Sequence, residues 1–132
     1  MIVTLISCFV TNKKTIQLSG DILYSNYSSG KIVIKVCEVE SFMECSFNNT
    51  IVQTPGLCVA EMIIEEPGPF LISATITGCG GQFPDIELLV YLTDDISNYI
   101  ECIAGGGTGS FSPVNTSDIH IELIEGFCPI RF

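Results

Sequence analysis

The sequence predicts an all-β protein, an antiparallel β-sandwich of about seven to eight strands stapled by disulfides. Three observations predict it. Apolar residues recur with a period of two in run after run, and no stretch carries a helical 3.6-residue period. The runs are separated by glycine- and proline-rich segments that reverse the chain. Seven cysteines are dispersed along 132 residues with no CxxC and no zinc-ligand spacing, which in a strand-rich chain points to disulfides and an oxidising compartment.

The first ten residues, Met1–Val10, carry no charge. Leu5-Ile6-Ser7-Cys8 fits a lipobox, in which a signal peptide is cut before a cysteine that then takes a lipid. A signal peptide needs a basic start and an apolar segment of ~7–15 residues, and no basic residue precedes Cys8. The choice is between a start farther upstream and an apolar β-strand with a structural cysteine. Residues 1–12 therefore read as an apolar N-terminal strand or anchor, and 13–132 as a single sandwich domain.

In TNKKTIQLSGDILYS, residues Ile16, Leu18, Ile22 and Tyr24 share one parity, and Gly20 marks a bulge or a close approach of backbone. NYSSG is a turn. Lys31–Val39 follows as a strand, with Ile32, Ile34 and Val36 on one face and Lys31, Val33, Lys35 and Cys37 on the other. Glu40–Thr54 reads as irregular and polar, with one short strand around Ser46–Val52.

Three runs form the middle of the sheet: Leu57–Ile64, Phe70–Ile76 and Ile86–Leu92, divided by PGP and GCGGQFP. Phe70, Ile72, Ala74 and Ile76 alternate with Ser73 and Thr75, and Ile86, Leu88, Val90 and Leu92 alternate with Glu87 and Tyr91. Each run thus has one face to bury. Asn98–Ala104 is a further strand, running into the flexible loop GGGTGSFSPVNTS. Asp118–Glu125 closes the sheet, and Cys128 ties down the tail GFCPIRF.

SGDILYSNYSSGKIVIKV, EEPGPFLISATI and IELLVYLTDD together resemble the transthyretin-like, carboxypeptidase-regulatory-like family of sandwiches. There a G-x-I-x-Y … G-x-I-x-V-x-V hairpin precedes a P-G-x-F/Y turn and strand. The likeness covers about residues 18–95. It implies a sandwich fold and a non-catalytic role as a spacer, an adhesion module or a surface-assembly unit.

Composition bounds the partners. Charged residues make up 15% of the chain, below the ~25% of an average soluble domain, while mean hydropathy is +0.49. No apolar run approaches the ~20 residues of a membrane-spanning helix. The excess apolar surface must be covered by thick packing or by other subunits. The net charge is −10, and no Lys or Arg lies between Lys35 and Arg131, where all but one of the 15 acids fall. Such a surface repels phosphate backbones and anionic head groups. Nucleic acid is excluded as a partner, and a membrane is reached only through a lipid on Cys8.

If Cys8 is lipidated, Cys37, Cys45, Cys58, Cys79, Cys102 and Cys128 remain for three bridges, with Cys37–Cys45 the best local pair. Asn26, Asn48 and Asn115 open N-x-S/T sequons, candidates for extracellular glycosylation. His120 alternates with Ile119 and Ile121 on a polar face and has no nucleophile turn to serve, so it reads as an exposed structural histidine. GGGTGS, Gly105–Ser110, lacks the lysine and the helix of a phosphate loop. Asp94, Asp95, Asn98 and Glu101 gather oxygen ligands that a sandwich loop can turn on calcium, without EF-hand spacing. An isopeptide bond from Lys14 or Lys31 to Asn115 would need that pair buried beside a carboxyl group. No metal or cofactor is expected.

These readings lead to a non-catalytic extracellular structural protein, a filament or surface-layer subunit whose apolar N-terminal strand pairs with a neighbouring copy. The alternative is a monomeric surface lipoprotein or adhesion module anchored through Cys8. No residue constellation argues for an enzyme.

Overall fold

The computed structural model of the chain describes residues 11–45, 50–54, 56–94 and 102–129. Ten strands appear in order: β1 (Thr11–Leu23), β2 (Lys31–Glu38), β3 (Ser41–Cys45), β4 (Thr50–Thr54), β5 (Cys58–Ile64), β6 (Pro69–Cys79), β7 (Ile86–Thr93), β8 (Cys102–Gly107), β9 (Thr116–Glu122) and β10 (Ile124–Glu125). Eight of them make two sheets, β6-β1-β9 and β10-β8-β7-β2-β5, and β3-β4 is a separate hairpin. The all-β, disulfide-stapled sandwich is what the alternation predicts.

The core follows parity. Ile16, Leu18 and Ile22 of β1 and Phe70, Ile72, Ala74 and Ile76 of β6 meet Ile32, Ile34 and Val36 of β2 and Ile86, Leu88, Val90 and Leu92 of β7. Fully burying each such side chain is worth about 1.5–3 kcal/mol, so these strands hold the two sheets together. Pairing is antiparallel except between β1 and β9, which run parallel. There Leu18 faces Thr116 and Gly20 faces Ile119, so β9 carries an extra residue at a bulge. A Cβ on Gly20 would meet the Ile119 backbone, which is the close approach expected of that glycine.

Several boundaries differ from the sequence reading. Ser41–Cys45 and Thr50–Thr54 pair as a regular β-hairpin where irregular, polar chain was expected, and most of the short strand expected around Ser46–Val52 lies outside the described residues. Asp118–Glu125 is not one strand: the chain leaves the three-stranded sheet after β9 and joins the five-stranded sheet as β10. Leu123, between them, is buried and its N–H donates to Leu23 O at 2.8 Å. Gly105–Gly107 is strand rather than loop. Built Cβ atoms there would lie 2.5 Å from Phe127 O, 2.9 Å from Glu122 O and 2.8 Å from Leu88 O, respectively. Glycine serves here to let neighbouring backbone close on β8.

The sheet of β2 and β7 is buried on both faces. Val33, Lys35 and Cys37, together with Leu89, Tyr91 and Thr93, are all buried, although parity puts them opposite the core. Lys35, 5% exposed, keeps its ammonium 3.6 Å from Glu61 Oε1 and 5.8 Å from the Tyr91 ring centroid. The C-terminal segment contributes cover, since Phe127 and Pro129 sit over Gly105.

Candidate functional site

The cysteines settle first. Cys37 pairs with Cys58 and Cys102 with Cys128, and Cys79 is also disulfide-bonded. The expected Cys37–Cys45 bridge is therefore wrong. Register decides it: β2 pairs antiparallel with β5, not with β3, and this brings Cys58 opposite Cys37 at a bulge. Cys45 ends β3 opposite Thr50. Cys8 lies outside the described residues. The disulfides indicate an oxidising, non-cytoplasmic environment.

The other candidates scatter. Asp94 is exposed at the end of β7, while Asp95, Asn98 and Glu101 lie outside the described residues. Among the described residues no group of three or more His, Cys, Asp and Glu side chains is arranged to hold a metal. His120 is exposed on β9. The isopeptide partners are each engaged elsewhere. Lys14 Nζ lies 4.9 Å from the Phe83 ring centroid, Lys31 Nζ is 3.2 Å from Glu65 Oε2, and Asn115 Oδ1 accepts from Gln17 N at 2.9 Å. Asn115 thereby extends the β1–β9 ladder one rung before Thr116. Asn26 is exposed in the turn after β1, and Asn48 lies outside the described residues.

Among the described residues two titrating groups are shifted. Burial pushes the Glu38 carboxyl above its ordinary value. Partial desolvation, then the Glu125 charge and the hydrogen bond to it, raise Tyr24. Tyr24 lines an open depression with Ile22, Ser25, Pro67, Gly68 and Glu122. An apolar depression of about 280 Å³ lies among Thr108, Phe111, Ser112, Val114, Thr116 and Ile119, with no titratable group in its wall.

What stands out is the set of sheet edges. An edge strand presents unpaired N–H and C=O groups, and proteins blunt such edges with charges, bulges, proline or brevity. β10 is two residues long. β9 has its bulge, Asp118 at φ 58°, and exposed Asp118, His120 and Glu122. β5 has a register shift at Cys58 and the exposed Glu61. β6 has none of these. It runs eleven residues in unbroken register with β1, contains no charged residue, and has its one proline at the first position.

Among the described residues β6 forms a ladder with β1 alone, and only its last residue, Cys79, is bridged on the other side, exchanging backbone hydrogen bonds with Gln82 of the following turn. β3 comes near it without forming a ladder. Its outward side chains, Leu71, Ser73, Thr75 and Thr77, are exposed, Leu71 by 59%. Of the 15 acids in the chain none is on β6, and β1 holds only Asp21, at its far end. No family model, curated protein or solved structure matches the chain.

The unprotected edge was partly legible: the alternation of Phe70–Ile76 marks a strand with one uncharged polar face. Only the strand order tells that this strand lies at an edge.

Proposed function

We propose that the protein is a non-catalytic, extracellular structural subunit, of a filament or surface layer, in which Met1–Val10 of one copy pairs with the open β6 edge of the next. The observation that carries this reading is the long β6 edge, the one among the described residues without charge, bulge or internal proline. Strand addition draws affinity from main-chain hydrogen bonds and specificity from alternate side chains. Donor and acceptor agree in kind. A charge-free decapeptide rich in Ile, Val, Leu and Phe needs cover, and burying each of its large aliphatic side chains is worth about 1.5–3 kcal/mol.

Charge supports the same surface. Subunits of net charge −10 repel one another, and the β1–β6 pair is where carboxylates are scarcest. The likeness to transthyretin-like sandwiches agrees with an assembly role, as does the excess of apolar residues. Electron microscopy of the native protein tests the proposal: polymers or ordered arrays are expected. Dispersed single particles at high concentration would overturn it in favour of a monomeric lipoprotein anchored through Cys8.

A further inference from the structure

Resting on that assembly reading, we infer that the donated strand runs antiparallel to the acceptor's β6, its polarity set by ion pairing of the donor's Lys13–Lys14 with the acceptor's Glu65–Glu66. The donor run Met1–Val10 and the acceptor strand β6 both lack charged residues. Neither segment has a charge of its own to fix direction. The flanks do. Past the donor come Thr11, Asn12, Lys13 and Lys14, two of the five cationic residues in the chain.

The two ends of β6 differ. Before Pro69 stand Glu65, Glu66, Pro67 and Gly68, with both acids exposed. After Cys79 stand Gly80, Gly81, Gln82, Phe83 and Pro84, with no charge before Asp85. Cys79 is closed to a donor by its two hydrogen bonds with Gln82, so an antiparallel register sets Ile2 against Gly78 and Val10 against Phe70, which brings Lys13 opposite Pro67 and Lys14 opposite Glu66. A parallel register with Met1 against Phe70 carries the same lysines past Cys79, where the chain turns back through Gly80–Gly81 and no acid occurs before Asp85. Antiparallel ladders are also slightly the more stable per residue.

The flanking groups are available. Lys13 and Glu66 are exposed and have no ion-pair partner among the described residues, Glu65 shares only the solvent-exposed Lys31, and half-buried Lys14 would have to leave its place over the Phe83 ring. β1 is paired on its β9 side only from Leu18 onward, with Gln17 N taken by Asn115. The acceptor's Glu65–Gly68 turn would lie along the stretch of β1 before that point. A single exposed ion pair contributes about 0.2–1 kcal/mol, so the polarity rests on the lysine–glutamate pairs acting together with the slightly stabler antiparallel ladder.

The test is zero-length carbodiimide crosslinking of assembled full-length protein, mixing isotopically light and heavy subunits so that mass spectrometry recognises links between copies. Links from Lys13 or Lys14 to Glu65 or Glu66 of another copy are expected. Charge reversal supplies the second arm. Lys13→Glu/Lys14→Glu and Glu65→Lys/Glu66→Lys should each raise the threshold concentration for polymers about tenfold, and the chain carrying all four should polymerise close to wild type. Polymers without those links, formed equally well by the charge-reversed chains, overturn the antiparallel polarity and leave the assembly reading standing. Full-length protein that forms no polymer under any of these conditions overturns both.

Discussion

Gly20→Ala should break the sandwich at its parallel seam. A Cβ on residue 20 would point at the Ile119 peptide group, coming nearest its carbonyl oxygen and lying 2.6 Å from the carbonyl carbon and 2.7 Å from the nitrogen. Ordinary contact begins at 3.4 Å, so β9 must retreat by about 0.8 Å against the carbon alone. That shift falls on backbone, which cannot rotate away as a side-chain tip can. It lengthens the ladder joining Gly20–Leu23 to Ile119–Glu122, where each hydrogen bond contributes about 0.5–1.5 kcal/mol net. It also loosens Ile121 and Leu123, both buried in the core beyond the bulge. Two or three weakened bonds and an overpacked contact together cost about 3 kcal/mol, with a fall in Tm of about 10 °C. Urea denaturation below the assembly threshold measures it, with Ser19→Ala as the neighbouring control. A loss of less than about 0.5 kcal/mol for Gly20→Ala would refute the close approach of β1 and β9.

Other consequences follow from single residues. Breaking the Cys37–Cys58 bridge, which spans 21 residues, with Cys37→Ser/Cys58→Ser should cost about 3 kcal/mol. Peptide mapping of unreduced protein should recover both assigned pairs, and a Cys37–Cys45 peptide would contradict the β2–β5 register. Burial raises the Glu38 carboxyl, so the native state holds that proton more tightly than the unfolded chain does. Its contribution to stability is full below the unfolded value, about 4.3, and is lost as pH rises through the raised native one. Glu38→Gln should accordingly raise Tm at about pH 7 and leave it unchanged at about pH 3, as calorimetry can check. At Asp118, with φ 58°, glycine should be tolerated, whereas Asp118→Val should cost about 2 kcal/mol in chemical denaturation.

How much of this was readable beforehand depends on the range of the physics involved. The parity of Ile16, Leu18 and Ile22, of Phe70–Ile76 and of Ile86–Leu92 is a local property, and those side chains all face the core. Gly20 was legible too, since an isolated glycine inside an apolar strand has few other uses. Parity says which residues share a face but not whether anything lies on it. Val33, Lys35 and Cys37 share the face opposite the core, yet they are buried, which parity alone does not tell. Disulfide partners are long-range: Cys58 reaches Cys37 through strand order, which spacing does not encode. The glycine run at 105–107 misled for the opposite reason. Composition marks it as flexible, whereas close approach of the tail and of β9 makes it strand. The edge position of β6 belongs with these topological facts.

The measurement that tests the central claim most directly is sedimentation velocity on three chains over a concentration series: the full-length protein, a deletion of Met1–Val10, and Ser73→Lys. The lysine places a charge on the exposed face of β6, the device by which natural edges refuse partners, and leaves the core untouched. The full-length chain should sediment as concentration-dependent polymers, while the other two remain folded monomers with native circular dichroism. Polymers of unchanged size from the deletion or from Ser73→Lys would contradict pairing of Met1–Val10 with the β6 edge.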